Sequence, residues 1–226
     1  MRFLLLLLCS SAFATTIYHY ENWLEGKKSP LTWEVDETKD GILLKAYENI
    51  GQTTLECTPA FAQINNYVFS SKDKKSSYSI QRQDNKLVLE VQTKNRNRTT
   101  TRKTVFKMTN PWVQQFGFGL KPFIISKNKK LEFCVINTTK PDLIEMIARK
   151  KEKIPLKIKD KTYQAQKVEV TLTGLKKLFW KAALWFDLES FDMLKYEADS
   201  GPATPTTTIL FIGKEKASFM DVFKKK

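Results

Sequence analysis

Apolar and polar side chains alternate with a period of two along most of the chain. In the segment KVEVTLTG at 167–174, Val168, Val170 and Leu172 alternate with polar residues. Because successive side chains of a β-strand point to opposite faces, this period predicts strands with one buried face. The same alternation recurs in three further segments: 31–36, 41–48 and 85–92. Turn-forming clusters separate these runs, which together predict an antiparallel sheet or barrel.

The segment LFWKAALWFD at 178–187 is rich in large apolar side chains and fits either a helix or a strand. A helix would place Trp180 and Leu184 on the exposed side, beside Lys181. A strand would gather five apolar side chains on one face: Leu178, Trp180, Ala182, Leu184 and Phe186. Since burying one large apolar side chain is worth about 1.5–3 kcal/mol, the strand is favoured. We expect it to form a hairpin with the alternating segment MLKYEAD at 193–199.

One segment, TKPDLIEMIARKKEK at 139–153, has helical spacing instead. It places four apolar residues on one helical face: Leu143, Ile144, Ile147 and Ala148. Pro141 would stand in the first turn, and basic residues collect near the end, where they complement the helix dipole. We therefore predict a helix here.

The segment NPWVQQFGFGLKPF at 110–123 combines aromatic residues with glycine and proline. We expect a short helical turn that leads into an irregular apolar loop, with Gly117 and Gly119 giving the loop freedom to move. Such a loop either covers the edge of the core or forms a lid over a pocket, and the sequence leaves both alternatives open.

The N-terminus has the parts of an export signal. A basic residue and an apolar run precede the tripeptide AFA at 12–14, which is a small-x-small cleavage site. We expect a signal peptide at 1–14, followed by a single domain at 15–226 whose tail, 214–226, is flexible. The sequence thus predicts a periplasmic or otherwise exported protein that is soluble after cleavage.

The formal net charge of the chain is +14. In the cytosol this balance would suggest nucleic acid as a partner. Outside the cytosol the abundant polyanions are lipid headgroups and envelope glycans. We therefore expect an anionic envelope surface as a partner, and no nucleic acid.

Two segments resemble exported bacterial families of unknown function: WVQQFGFGLKPFIIS at 112–126 and the Trp-bearing hairpin region at 167–210. These families are similar in outline to the LolA/LolB-like clam. The resemblance implies a mainly β (α+β) fold, in which one or two helices cover the concave side of a strongly curved antiparallel sheet, an unclosed barrel. In the lipoprotein carriers that the clam resembles, this concave side receives acyl chains.

The favoured function is a non-catalytic binding or carrier module for lipid or acylated protein in the bacterial envelope. The alternative is an envelope structural or interaction protein whose concave side is filled by its own side chains, and a hydrolase with an unrecognised site ranks last. The ligand-binding hypothesis names seven apolar residues: Trp112, Phe116, Phe118, Phe123, Leu143, Ile147 and Trp180. Lipid or lipoprotein acyl chains are the expected ligand.

Residues with catalytic or metal-binding chemistry are few. His19 is the single histidine, which gives no ordinary zinc site, and no Walker or dinucleotide-binding glycine motif occurs. We expect no cofactor and no enzymatic activity. Cys57 and Cys134 remain after cleavage of the leader, and an oxidising compartment would permit a disulfide between them, which the sequence leaves open.

Overall fold

The computed structural model describes residues 15–95, 98–174, 180–199 and 206–217. The predicted signal peptide and Leu178 lie outside these ranges. The described strands follow one another along the chain: β1 (Thr15–Leu24), β2 (Lys27–Glu37), β3 (Ile42–Glu48), β4 (Gly51–Cys57), β5 (Ile64–Ser71), β6 (Ser76–Gln83), β7 (Lys86–Asn95), β8 (Arg98–Lys107), β9 (Lys130–Asn137), β10 (Asp142–Ile158), β11 (Lys161–Leu172), β12 (Lys181–Asp187), β13 (Met193–Asp199) and β14 (Thr207–Ala217). Two short helices, α1 (Phe116–Gly119) and α2 (Lys121–Ile125), and a 3₁₀ turn (Pro59–Phe61) complete the described elements.

All fourteen described strands belong to one antiparallel sheet. Its order is β8-β7-β6-β5-β4-β3-β2-β1-β14-β13-β12-β11-β10-β9. The chain therefore forms two meanders, β1–β8 and β9–β14, and the first and last strands pair at the middle of the sheet. The two ends of the order, β8 and β9, do not pair, so the sheet stays open. The predicted class, a mainly β protein on a strongly curved, unclosed antiparallel sheet with covering helices, is confirmed.

One face of the sheet forms the core. Cross-strand register aligns Val35 with Leu44 and Leu44 with Leu55, and each of these side chains is at most 1% exposed. In the second meander the register aligns Val168 with Leu184, both fully buried. Paired residues in neighbouring strands share a face, so these rows build one continuous apolar inner face.

The hairpin predicted from 178–187 and 193–199 is confirmed for its described part. β12 pairs with β13, and Leu184 and Phe186 are fully buried on the inner face. Trp185, on the opposite face, is also only 7% exposed, because the ammonium groups of Lys167 and Lys195 lie 5.7 and 5.0 Å from its ring centroid.

The helix predicted at 139–153 is wrong, because 139–141 lie in a turn and 142–153 belong to the long strand β10. β10 pairs with both β9 and β11, so its backbone N–H and C=O groups find hydrogen-bond partners on both sides. The side chain of Asn137 accepts hydrogen bonds from the backbone N–H groups of Thr139 and Lys140, at 3.0 and 3.1 Å, and turns the chain from β9 into β10. The buried Met146 and Ala148 stand two positions apart, a period that fits a strand and not a helix.

Residues 214–217, the first part of the predicted flexible tail, lie in a strand. β14 extends to Ala217, which pairs with Thr15, so residues 214–217 take part in the central β1–β14 ladder. The rest of the predicted tail, 218–226, lies outside the described residues.

The alternation along β12 predicts a large difference between neighbouring positions. Leu184→Ala should lower the free energy of unfolding by about 2–5 kcal/mol, because it leaves a cavity in the inner face. Lys181→Ala, at an exposed position of the same strand, should stay within about 0.5 kcal/mol of the wild type. Urea denaturation midpoints measure both changes, and equal losses would contradict the face assignment.

Candidate functional site

The segment 108–129 connects the two edge strands of the sheet, β8 and β9. We call this segment the plug. It contains α1 and α2, so the short helical turn predicted within 110–123 is confirmed. Pro122 stands in the first turn of α2, where its missing N–H costs nothing.

The first part of the plug is fastened to the edge of β9. Thr109 and Asn110 donate side-chain hydrogen bonds to the carboxylate of Glu145 on β10, at 2.7 and 2.6 Å. The amide side chain of Gln114 donates to the backbone carbonyl of Ile136 and accepts from its N–H, at 3.0 and 3.1 Å. Together with the backbone bond from Val113 to Cys134, these contacts continue the ladder beyond β9.

The middle of the plug packs on the inner face through Phe118. Its ring lies 5.6 Å from Tyr18, 5.2 Å from Trp33 and 5.7 Å from Phe61, measured between centroids. The side chain is only 5% exposed. Phe118 therefore joins the centre of the sheet to the 3₁₀ turn.

Phe116 makes further aromatic contacts, with residues of the second meander. Its ring centroid lies 5.8 Å from that of Phe133 on β9 and 6.3 Å from that of Trp180, just before β12. Phe116 and Trp180 are both half-buried. The apolar face is thus covered by the chain's own side chains across several strands.

The two glycines of α1 permit close packing. A Cβ atom at Gly117 would lie 3.2 Å from the sulfur of Met193, and one at Gly119 would lie 2.9 Å from a methyl group of Val113. The sequence predicted that these glycines give the plug freedom to move. The contacts support a different role, in which the missing side chains of Gly117 and Gly119 let α1 pack closely against Met193 and Val113.

A buried ion pair holds α2 on the sheet. The Lys121 ammonium donates to Asp192, in the turn between β12 and β13, at 2.7 Å, and Lys214 of β14 reaches the other carboxylate oxygen at 2.7 Å. The side chains of Lys121 and Asp192 are only 11% and 3% exposed. Burial alone would raise the pKa of Asp192, but the two ammonium groups outweigh it and hold that pKa below its usual range.

Aromatic rings surround the Lys121 ammonium. It lies 5.5 Å from the ring centroid of Tyr18, 5.3 Å from that of Phe61 and 5.4 Å from that of Phe118. The negative faces of these rings partly replace the water that the charge loses on burial. Burial and the nearby Asp192 carboxylate raise the pKa of the Tyr18 phenol, which stays neutral.

The other end of α2 is fastened by Lys150 of β10. Its ammonium donates to the backbone carbonyls of Ile124 and Ser126, the first at 3.0 Å, and lies 4.9 Å from the ring centroid of Phe123. A cation at this position satisfies carbonyls that have no partner within the helix. Burial lowers the pKa of Lys150.

A cavity of about 240 Å³ remains between the plug, the 3₁₀ turn and β9. Its lining is mainly apolar and comprises Phe61, Ala62, Gln63, Ile64, Pro111, Trp112, Val113, Gly119, Pro122, Phe123, Ser126, Asn128 and Leu131. The lining contains no ionisable side chain. Ser126 donates its hydroxyl hydrogen to the carbonyl of Phe123 at 2.8 Å. The arrangement can accept an apolar group, and it offers no activated nucleophile.

The predicted ligand-binding residues are only partly brought together. Trp112 and Phe123 line the cavity, whereas Phe116 and Phe118 fill the inner face elsewhere and Trp180 packs beside Phe116.

Leu143 and Ile147 are not on the inner face, because β10 is a strand and they alternate with the buried Met146 and Ala148. Leu143 instead lines a separate hollow of about 430 Å³ with Leu172 and others. Their assignment to a concave-side cover depended on the wrong helix.

Sequence reasoning missed the charged groups that fix the plug. Lys121 is a single charge within an apolar run, GFGLKPFII, and that isolation is a signal of a buried, paired cation. Asp192 and Lys150 carried no such signal, since both stand in mixed surroundings in the sequence. Phe61 adopts a left-handed backbone, with φ of 56°, which the sequence does not indicate.

The two cysteines are free thiols in the structure, and both are buried. Cys57 shares the inner face with Ile42 and Leu55, whereas Cys134 follows the inward-facing Phe133 and therefore points to the opposite face. A disulfide between them is not formed. Burial raises the pKa of each thiol to about 12.

The described residues form no histidine-based or metal-binding site. His19 is half-buried and lies 3.4 Å from the Glu215 carboxylate. Among the described residues, no group of three His, Cys, Asp or Glu side chains is placed to hold a metal ion. Neither described helix is long and apolar enough to cross a membrane.

No protein-family model matches the sequence, and no curated protein matches it either. A β-barrel-like protein of a domain of unknown function, DUF1849, from Brucella abortus has a similar structure, with a TM-score of 0.52 over 92% of this chain and 99% of that chain. The two sequences are 7% identical, so the likeness is one of fold. It agrees with the predicted resemblance to bacterial open-barrel families of unknown function.

Two further solved structures are similar over most of their length but at lower TM-scores. The hypothetical lipoprotein YmcC from Escherichia coli is 8% identical, with 89% of this chain and 87% of that chain covered and a TM-score of 0.33. A LolA superfamily protein from Nitrosomonas europaea is 8% identical, with 95% and 90% covered and a TM-score of 0.23. Both TM-scores are too low to support an inference about this chain.

The ion pair between α2 and the sheet predicts a pH-dependent loss of stability. Asp192→Asn leaves the Lys121 ammonium buried without a charged partner and should cost about 3–5 kcal/mol at neutral pH. Because the folded-state pKa of Asp192 is lowered, its contribution is complete above the unfolded pKa of about 3.9 and is lost as the pH falls through the lower folded value. The difference between wild type and variant should therefore shrink below about pH 4.

The matched control is Glu189→Gln, an exposed carboxylate in the same turn. Denaturant midpoints from pH 2 to pH 7 measure all three proteins. A similar loss in both variants, or a loss from Asp192→Asn that does not depend on pH, would contradict the role of the ion pair.

Proposed function

We propose that this protein is an exported, non-catalytic module that binds an acyl chain of a lipid or acylated protein in the cavity between the plug and the 3₁₀ turn. The observation that carries the proposal is that an apolar cavity remains on an inner face that the plug otherwise fills. The leader-like residues 1–14 support export.

The size of the cavity limits the ligand. Sites for small molecules span roughly 300–1,000 Å³. A volume of about 240 Å³ lies just below this range and suits one slender apolar group. A single acyl chain, or its end, fits this description better than a diacyl lipid does.

Polar and basic groups at the rim support an anionic headgroup. Gln63, Ser126 and Asn128 supply polar atoms to the lining, and the exposed Lys127 and Lys129 flank Asn128. Attraction between exposed charges is screened by salt over about 10 Å at 0.1 M ionic strength. The net charge of +14 adds a long-range attraction to an anionic envelope surface.

The lining of the cavity favours binding over hydrolysis. A hydrolytic site needs a nucleophile that a neighbouring base activates. The one hydroxyl of the lining, that of Ser126, is directed to a backbone carbonyl.

The second candidate is an envelope interaction protein whose inner face is filled permanently by its own plug. Its support is the fastening of α2 at both ends, by Lys121 with Asp192 and by Lys150. In this alternative the cavity is a packing void and takes up no ligand.

A tryptophan placed at the cavity separates the two candidates. Ala62 is exposed and lines the cavity, so the side chain of Ala62→Trp should block part of it. Each methylene kept out of the cavity costs a ligand about 0.8 kcal/mol, so the loss of two weakens binding about tenfold. Titration of delipidated mature protein with the fluorescent fatty acid cis-parinaric acid measures the affinity.

Gln52→Trp is the control, because Gln52 is exposed and does not line the cavity. It should bind the probe as the wild type does, and binding by both should weaken as salt rises. If delipidated wild type takes up no probe, or if both tryptophan variants bind equally, the carrier function is rejected and the self-filled alternative stands.

A further inference from the structure

The two edge strands of the sheet, β8 and β9, differ in whether another part of the described chain covers them. The edge of β9 is covered by the plug, through the backbone of Val113 and the side chain of Gln114. At the other edge, β8 pairs with β7 on one side, and no other strand of the described chain pairs with it. A row of backbone N–H and C=O groups therefore faces outward along Arg98–Lys107.

β8 lacks most of the features that protect strand edges. Natural edge strands are commonly short, bulged or interrupted by proline. β8 is 10 residues long and contains no proline, and its register with β7 runs from Lys86–Lys107 to Asn95–Arg98 without a shift. Its sequence, RTTTRKTVFK, is rich in threonine, which favours extended backbone.

Charge is the one protective feature that β8 has, and it has a single sign. Four exposed cations lie on this strand: Arg98, Arg102, Lys103 and Lys107. β8 carries no acidic residue, and none of the four forms an ion pair within the described part of the chain. The nearest acidic residue by register, Glu90 opposite Lys103, accepts a hydrogen bond from Gln92.

The cations lie on both faces of the strand. Arg102 pairs with Val91 and Lys103 with Glu90, so neighbouring positive charges point to opposite sides of the edge. Any strand added here would meet positive charge above and below its backbone. A second copy of this chain would be repelled, because it brings the same strand and a net charge of +14.

We propose that the free edge of β8 binds an extended, acidic segment of a partner protein as an added strand. Backbone hydrogen bonds along the open edge supply affinity, and the four cations select acidic side chains on both faces of the added strand. This surface is separate from the cavity, whose lining contains no residue of β8.

The probe is a fluorescein-labelled ten-residue peptide in which pairs of glutamates alternate with pairs of valines, so that as a strand it carries carboxylates on both faces. It should bind the mature protein with an affinity that falls as salt rises, and it should slow hydrogen exchange of the amides in 98–107. The same peptide with N-methyl groups on alternate amides keeps its charge but cannot form the ladder. It should bind at least about tenfold more weakly and leave the exchange of β8 unchanged.

Charge reversal locates the site. The double variant Arg102→Glu/Lys103→Glu should weaken binding about tenfold or more, because both changed residues belong to the exposed edge. Lys127→Glu/Lys129→Glu changes the net charge equally at the opposite edge of the sheet and should have a much smaller effect. Ala62→Trp should leave peptide binding unchanged, which separates this result from the outcome for the acyl cavity.

Three results would each overturn the proposal. The first is equal binding of the N-methylated and unmethylated peptides, which would mean that charge alone holds the peptide and no strand is added. The second is an equal loss in the two double variants. The third is absence of peptide binding to wild type, including the case in which vesicles of phosphatidylglycerol protect β8 instead. The peptide comparison uses wild-type protein, so it decides the matter even if a variant fails to fold.

Discussion

The ion pair between Lys121 and Asp192 determines how the inner face of the sheet is covered. A buried ammonium is costly unless a charged partner accompanies it, so the plug and the β12–β13 turn must stay together. The rings of Tyr18, Phe61 and Phe118 close around the same charge and bring the centre of the sheet and the 3₁₀ turn to the plug. The cavity lies between two of these elements, the plug and the 3₁₀ turn, beside β9.

The strand order explains why a plug is needed. The first and last strands pair at the middle, so the two edges of the sheet are consecutive in the chain, as β8 and β9. An open, curved sheet leaves its apolar inner face exposed, and soluble proteins rarely expose large apolar patches. The connection between the edges is the segment that covers the face, and it does so at fixed contacts with Glu145, Asp192 and Lys150. Ligand binding beside a fixed plug therefore differs from binding under a lid that opens.

Alternation was the part of the sequence that predicted structure best. It identified six of the fourteen described strands, including the two of the hairpin, because a residue that faces the core on one strand leaves its neighbours on the other face. At 139–153 the helical spacing of Leu143, Ile147 and Ala148 led to the wrong prediction. Pairing with both neighbouring strands decided the outcome there, and such long-range pairing is not visible in a local pattern.

The candidate site was less predictable than the fold. Trp112 and Phe123 were predicted as ligand-binding residues because aromatic residues near glycine and proline mark an apolar connection, and both line the cavity. The partners of Lys121 lie far along the chain, and no local signal connects them. The opposite orientations of Cys57 and Cys134 likewise depend on register across the sheet.

The central claim is that the cavity beside the plug holds an acyl chain. The most direct measurement is nuclear Overhauser contacts between ¹³C-labelled palmitate and side-chain protons of the mature protein. The account predicts contacts from the acyl methylenes to Trp112, Phe123 and Leu131, and none to Ile147 on the opposite face. Contacts confined to Ile147 or other outward-facing residues, or none under conditions that saturate binding, would contradict it.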